Sequence, residues 1–152
     1  MRALYAVAAG RPETCEARDF MPTPILRIPA HLFGRSVLVV EDEALIAWDL
    51  ESTLNAAGLY VLGPVASVQA ALALLRTSRP DAAILDVNLQ GELVTPVARE
   101  LRNMNVPFVL STAYNNLRPV RGDALEGAPS IGKPLPARRF LDLLSEMLEH
   151  HA

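Results

Sequence analysis

The stretch Ser36-Val37-Leu38-Val39-Val40-Glu41-Asp42-Glu43 decides how the rest of the chain is read. Apart from Ser36, its first five residues are apolar, and three are β-branched. A short apolar run without alternation fits a strand buried on both faces, as in the middle of a parallel sheet. Three acids end the run, and a helical spacing follows at once. Ile46, Ala47, Leu50, Leu54 and Ala57 share one face, and Gly58 stands where a helix C-terminus favours a residue without a Cβ.

The same alternation repeats downstream. Leu59–Leu62 reads as a second strand closed by Gly63-Pro64, and Ser67 is a good N-cap for a helix with Val68, Ala71, Leu72 and Leu75 on one face. Ala82–Leu85 makes a third strand ending at Asp86. Val94, Val97, Ala98 and Leu101 repeat the helical spacing, and Pro107–Ser111 is a fourth strand. Leu117–Leu125 takes the place of a fourth helix, but Pro119 and Gly122 interrupt it and predict a short or bent one. Pro129-Ser130-Ile131 supplies a brief fifth strand. Pro136 suits the first turn of a last helix with the face Phe140, Leu143, Leu144 and Met147. Five such alternations predict an α/β fold, a (βα)5 three-layer sandwich around a parallel five-stranded sheet. Right-handed crossovers make the flavodoxin-like strand order 2-1-3-4-5 the natural one.

Upstream the character changes. Residues 1–35 hold four of the 12 prolines and five basic against three acidic residues, with no sustained period; residues 36–152 carry nine basic against 14 acidic. The sequence therefore divides into an irregular, disordered N-terminal extension, 1–35, and a folded domain, 36–152. The apolar run Ala3–Ala9 follows a single basic residue and sits at the bottom of the length range for an export signal, so it reads as part of a loose tail. The whole chain of 152 residues is 51% hydrophobic and 20% charged, which excludes wholesale disorder. Its apolar runs fall short of the roughly 20 residues that span a membrane. A net charge of −3 gives no sign of a nucleic-acid binder. The single cysteine, Cys15, excludes an internal disulfide framework and a cysteine-rich zinc site. Among the 14 basic residues one only, Lys133, is lysine.

The polar residues with chemical capacity gather at strand ends: Glu41 and Asp42 after strand 1, Asp86 after strand 3, Thr112 after strand 4, Lys133 after strand 5. In an open parallel sheet these ends share one edge, and ligands bind where the strand order reverses, between strands 1 and 3. Three carboxylates there repel one another unless a cation intervenes, and an all-oxygen donor set selects Mg²⁺. A hydroxyl and an ammonium opposite would suit a tetrahedral anion such as a phosphoryl group. Each residue alone has a plainer reading. Acids open a helix because of its dipole, Asp86 could be a turn residue, Thr112 a β-former, and Lys133 a solvated lysine. The coincidence of four strand ends on one edge, with compatible charges, outweighs those readings. His31, His150 and His151 lie in the tails and read as incidental. A glycine-rich phosphate loop, a nucleophile-histidine arrangement and a CxxC pair are all missing from the sequence.

Val37-Leu-Val-Val-Glu41-Asp42-Glu43, Asp81-Ala-Ala-Ile-Leu-Asp86-Val-Asn88, Ser111-Thr112-Ala113 and Lys133-Pro134 together resemble the receiver domains of bacterial two-component response regulators, in order and spacing. The resemblance runs from about Ser36 to His150. It implies that Asp86 is the phosphoacceptor and that Asp42, Asp86 and the main-chain carbonyl of Asn88 bind Mg²⁺, with Mn²⁺ as a substitute ion and Glu41 acting through water. It further implies that Thr112, the Ala113 N–H and Lys133 contact the phosphoryl group, that Asn88 and Tyr114 tune its lifetime, and that the Lys133–Pro134 bond is cis. One departure stands out: many receivers carry an aromatic switch residue where this chain has Ser130.

The function implied is a cytoplasmic, stand-alone response regulator, not an enzyme in its own right. It would accept a phosphoryl group from a sensor histidine kinase and signal by protein contact, or act as a phosphate sink. The stretch Pro107–Tyr114 is similar to a proteobacterial subgroup often paired with kinases of the HWE type. The downstream protein is not identified, and neither nucleic acid nor a membrane is expected as a partner. Ser130 and the interrupted fourth helix motivate an alternative, a phosphorylation-independent interaction module. A small Mg²⁺ phosphatase would need a second acid where Asn88 stands.

Overall fold

A computed structural model of the chain describes residues 28–113 and 123–150. Strand β1 (Ser36–Val40) is hydrogen-bonded on both sides, to β2 (Tyr60–Val65) and to β3 (Ala82–Asp86), and its four apolar residues are fully buried. Beyond β3 lie β6 (Phe108–Thr112) and β7 (Ser130–Gly132), so the parallel sheet has the order β2-β1-β3-β6-β7. A two-stranded antiparallel hairpin, β4 (Asn88–Leu89) and β5 (Glu92–Leu93), takes the two intervening numbers. Without it the order is the expected 2-1-3-4-5.

Helices α1 (Ala44–Ala56), α2 (Val68–Leu75), α3 (Thr95–Asn103) and α4 (Ala137–His150) cover the sheet in pairs. The two-residue period of β1 decides which pair each side chain meets. Leu38 and Val40 face α2 and α3, with Ala83, Leu85, Phe108 and Leu110. Val37 and Val39 face α1 and α4, with Ala82, Ile84, Val109 and Phe140. The Ser67 hydroxyl caps α2 by accepting the Ala70 N–H at 3.1 Å. Gly58, just past α1, has φ +76, and a Cβ there would meet the Phe33 ring.

Two expectations need correction. Gly63-Pro64 does not close the second strand: β2 continues to Val65 across a register shift between Leu38↔Leu62 and Val40↔Val65. Gly63 has φ +95, a Cβ on it would sit 2.8 Å from the Val65 nitrogen, and the Gly63–Pro64 bond is cis. Proline is tolerated because β2 is an edge strand and the ladder is already broken at the bulge. The last helix is also turned from the predicted face. Phe140, Leu141, Leu144 and Leu148 are buried, whereas Leu143 and Met147 are partly buried, because α4 presents a wider apolar stripe to the sheet. The helix expected to be short or bent over Leu117–Leu125 falls largely outside the described residues; its described end, residues 123–125, lies in a bend and turn.

The segment before Ser36 packs on the same core. A 3-10 turn at Ala30–Leu32 buries Leu32 completely among Leu54, Phe140 and Leu144. The Arg35 guanidinium pairs with Asp81 at 3.0 Å, and Asp81 also accepts the Ser36 N–H at 2.8 Å and its hydroxyl at 2.9 Å. Burial would raise the Asp81 pKa, but the Ser36 donors and Arg35 together hold it below its usual value. His31 lies 2.9 Å from the Ser145 hydroxyl on α4, and His150 sits on the Glu146 carbonyl. Residues 1–27, with the expected loose tail, and His151 lie outside the described residues.

Candidate functional site

Each site residue is placed by the end of a strand. The bulge in β2 lets the Val65 carbonyl accept the Glu41 N–H at 2.9 Å, which carries the β1 ladder one residue further than the strand itself. Glu41 is therefore buried, 3% exposed, and its Oε1 accepts the Glu43 N–H at 3.1 Å, tightening the turn into α1. Asp86 ends β3, pairs in register with Ser111 of β6, and is 7% exposed. Thr112 ends β6, and its carbonyl accepts the Lys133 N–H at 2.8 Å, fixing where Lys133 leaves β7. The Lys133–Pro134 bond is cis.

These elements bring the charged groups together. Lys133 Nζ lies 2.8 Å from Asp86 Oδ2, 3.0 Å from Glu41 and 3.2 Å from Glu43 Oε1. Glu41, Asp42 and Asp86 each present a carboxylate oxygen, and these oxygens all lie within 4.8 Å of one another. At that separation each pair of negative charges repels by about 3 kcal/mol, taking an effective dielectric constant of roughly 20. One ammonium faces four carboxylates, so the cluster keeps an excess of negative charge.

The titration of the group reflects the crowding. Burial pushes the Glu41 carboxyl up to about 7; hydrogen bonds from Lys133 and the Glu43 N–H oppose it, and the charge of Asp86 adds to it. Burial alone would pull the Lys133 ammonium down, but its bonds to Asp86 and Glu41 hold it above its ordinary value. Among the described residues, Glu41 Oε2 is buried and accepts no hydrogen bond, although Lys133 Nζ is 3.0 Å away in an unfavourable direction. A buried carboxylate oxygen left in that state, beside two more carboxylates, fits a hard divalent cation.

The cluster lines a cleft of about 360 Å³ with Asn88, Gln90, Thr112 and Ala113 on its walls. Asp86, Asp42, Asn88, Thr112, Ala113 and Lys133 thus reach one place, with Glu41 beneath them. Asn88 donates its N–H to Asp86 Oδ1 at 3.2 Å, and its side-chain oxygen accepts the Gly91 N–H at 2.7 Å. Tyr114 lies outside the described residues. Ser130 is exposed at the start of β7, opposite Leu110. Another cleft, about 310 Å³ beside Pro107 and Pro129, opens at the other end of the strands and contains none of these residues.

Two contacts lay outside the sequence reading. Glu43 reaches Lys133, and the Gln90 N–H donates to Asp42 Oδ2 at 3.1 Å. The first follows from the length of a glutamate at a helix start, which motif matching does not weigh. The second depends on the β4–β5 hairpin, whose signal was the dipeptide Gln90-Gly91 between Leu89 and Glu92.

A parallel sheet with this charged edge narrows the class, and comparison identifies it. The family model of the response regulator receiver domain matches residues 37–144, and the chain belongs to that family of two-component proteins. The transcriptional regulatory protein PdtaR of Mycobacterium tuberculosis is 34% identical over 82 residues, which make 53% of this chain and 40% of that protein. The chain spans less than half the length of the curated relatives it matches. The solution structure of SdrG from Sphingomonas melonis Fr1 is similar over 79% of this chain and 99% of its own, with 35% identity and a TM-score of 0.64. The receiver domain of a sensor histidine kinase from Pseudomonas aeruginosa is 25% identical, with a TM-score of 0.65 over 76% of this chain and 98% of that one; it holds a magnesium ion in its active-site cleft. Among the described residues, no helix is long and apolar enough to cross a membrane.

Proposed function

We propose that this receiver domain accepts a phosphoryl group on Asp86 from a sensor histidine kinase, with Mg²⁺ held by Asp42, Asp86 and the Asn88 carbonyl, and Glu41 behind them. The observation that carries the reading is the Lys133–Asp86 contact of 2.8 Å inside the acidic cleft. An unpaired cluster of acids would repel a phosphoryl donor, whereas an ammonium bonded to the acceptor gives the arriving oxygens a partner.

A carboxylate oxygen of Asp86 attacks the phosphorus, the bond from phosphorus to the donor imidazole nitrogen breaks, and the imidazole leaves. The protein's work is positioning and charge compensation. Asn88 holds Asp86 through its N–H. Lys133 exchanges part of its bonding to Asp86 and Glu43 for a phosphoryl oxygen, and Thr112 and the Ala113 N–H take others. Bound Mg²⁺ supplies a Lewis-acid counter-charge for the phosphoryl oxygens. The phosphorylated domain then signals by contact with a downstream protein or drains a kinase, which on the Pro107–Tyr114 resemblance is of the HWE type.

Incubation with a small phosphodonor and Mg²⁺, followed on a phosphate-retarding gel, tests the reading. A retarded band is expected for the wild type and none for Asp86→Asn. Absence of the band in the wild type, or its persistence in the variant, overturns it. The exposed Ser130, in the place of the aromatic switch, supports a second reading, an interaction module whose binding ignores phosphorylation. Partner affinity that does not change on phosphorylation would select it.

A further inference from the structure

The connection from β3 to α3 is a hairpin closed over the acidic cleft. Asn88 pairs with Leu93 and Leu89 with Glu92, which leaves Gln90-Gly91 as a two-residue turn. Their φ angles are 54 and 94. Positive φ at both central residues is what a type I′ hairpin turn requires, and Asn-Gly is the favoured pair for it. Glycine takes this backbone freely, but a glutamine there is uncommon.

Hydrogen bonds tie this turn to both acids. Gln90 donates its N–H to Asp42 Oδ2 at 3.1 Å, Gly91 to Asn88 Oδ1 at 2.7 Å, and Asn88 to Asp86 Oδ1 at 3.2 Å. At the base, the Val94 N–H donates to the Val87 carbonyl at 3.0 Å, and Leu89 is buried in the core. The hairpin therefore spans from the end of β3 to the carboxylate that follows β1. A carboxylate offers about four lone-pair directions. The amide takes one and leaves the rest for a cation.

We propose that the Gln90-Gly91 turn is a positioning element of the cation site. Its main-chain N–H orients the Asp42 carboxylate, so cation affinity follows how readily residues 90 and 91 adopt positive φ. The inference rests on the cation reading above and adds to it two residues whose side chains take no part.

Mg²⁺ titration of the full chain by calorimetry tests it on the wild type, Gly91→Ala and Gln90→Asn, with hydrogen exchange of the residue-90 amide measured in parallel. No atom of the described residues lies within 4 Å of a Cβ built on Gly91, so alanine there strains the backbone without a clash. Gly91→Ala should weaken Mg²⁺ binding about fivefold, equivalent to ~1 kcal/mol, the order of an L-residue penalty at positive φ. Its residue-90 amide should exchange faster. Gln90→Asn, which suits the turn better, should bind at least as tightly as the wild type, and thermal melts show whether both variants are folded. A wild type that binds Mg²⁺ while folded Gly91→Ala binds equally well overturns the positioning role alone. A wild type that binds no Mg²⁺ overturns the cation reading and the inference with it.

Discussion

Glu41 gives the metal-free protein a pH dependence opposite to that of an ordinary carboxylate. Burial is the main cause of the rise in its pKa from 4.5 to about 7. Between those values the folded chain keeps a proton that the unfolded chain releases. This group's contribution to stability is therefore greatest below pH 4.5 and falls as pH rises toward 7. The interval corresponds to roughly 3 kcal/mol, a large share of the 5–15 kcal/mol that typically holds a domain together. Urea denaturation at pH 5, 6, 7 and 8 with a chelator, on the wild type and on Glu41→Gln, measures it. Glutamine keeps the size and an acceptor for Lys133 but does not titrate. Relative to the variant, the wild type should lose about 2–3 kcal/mol across this range, and Mg²⁺ should flatten the loss by giving the ionised carboxylate a partner. The other shifted groups are silent in this window. Asp81 contributes stability that is present above its unfolded value of 3.8 and lost as pH falls through its lower folded value. Lys133 contributes stability that is present below 10.5 and lost only as pH rises through its still higher folded value. The histidines are common to both proteins and cancel in the difference. Parallel profiles for the two proteins between pH 5 and 8 would refute the reasoning.

Three further outcomes are expected. Lys133→Arg should fold with an unchanged circular dichroism spectrum but slow phosphorylation by a small donor by roughly tenfold or more, since a wide guanidinium fork cannot replace a compact ammonium among three carboxylates; an unchanged rate would make the lone lysine incidental. Ser111 is fully buried with no partner for its hydroxyl among the described residues, so Ser111→Ala should stabilise the domain by about 0.5–1 kcal/mol, read as a rise in Tm. Leu32→Ala should cost about 2–4 kcal/mol, read as a lower urea midpoint at constant slope, because Leu32 is 0% exposed in the core with Phe140.

The sheet was legible because burial on both faces writes itself as continuous apolar runs, and β1 and β3 have no other use for Val37–Val40 or Ala82–Leu85. The site was legible for a related reason: in a parallel sheet, chain position just after a strand is already spatial position at one edge. Three features were harder to read, each for a physical cause. Gly63-Pro64 carries a turn signature, but β2 is an edge strand and passes through it as a bulge with Gly63 at positive φ. Gln90-Gly91 closes a hairpin with a glutamine where Asn or Asp would have advertised the turn. Leu32 is one apolar residue in a proline-rich stretch, and only the tertiary packing of α4 shows that it is buried.

The charge balance of the cleft also constrains the order of events in the proposed reaction. Lys133 is bonded to Asp86, Glu41 and Glu43, while Asp42 is bonded to the Gln90 N–H rather than to the ammonium. A phosphoryl group brings further negative charge to a cluster that already has one cation against four carboxyl groups, of which Glu41 is only partly ionised near pH 7. If it arrived first, Lys133 could meet it only by abandoning carboxylates that would then repel it at close range, at about 3 kcal/mol per pair. A divalent cation held by Asp42 and Asp86 would compensate the same movement of Lys133. In the proposed reaction a cation bound first would therefore ease the arrival of the phosphoryl group, and the hairpin proposed to orient Asp42 would act at that earlier step.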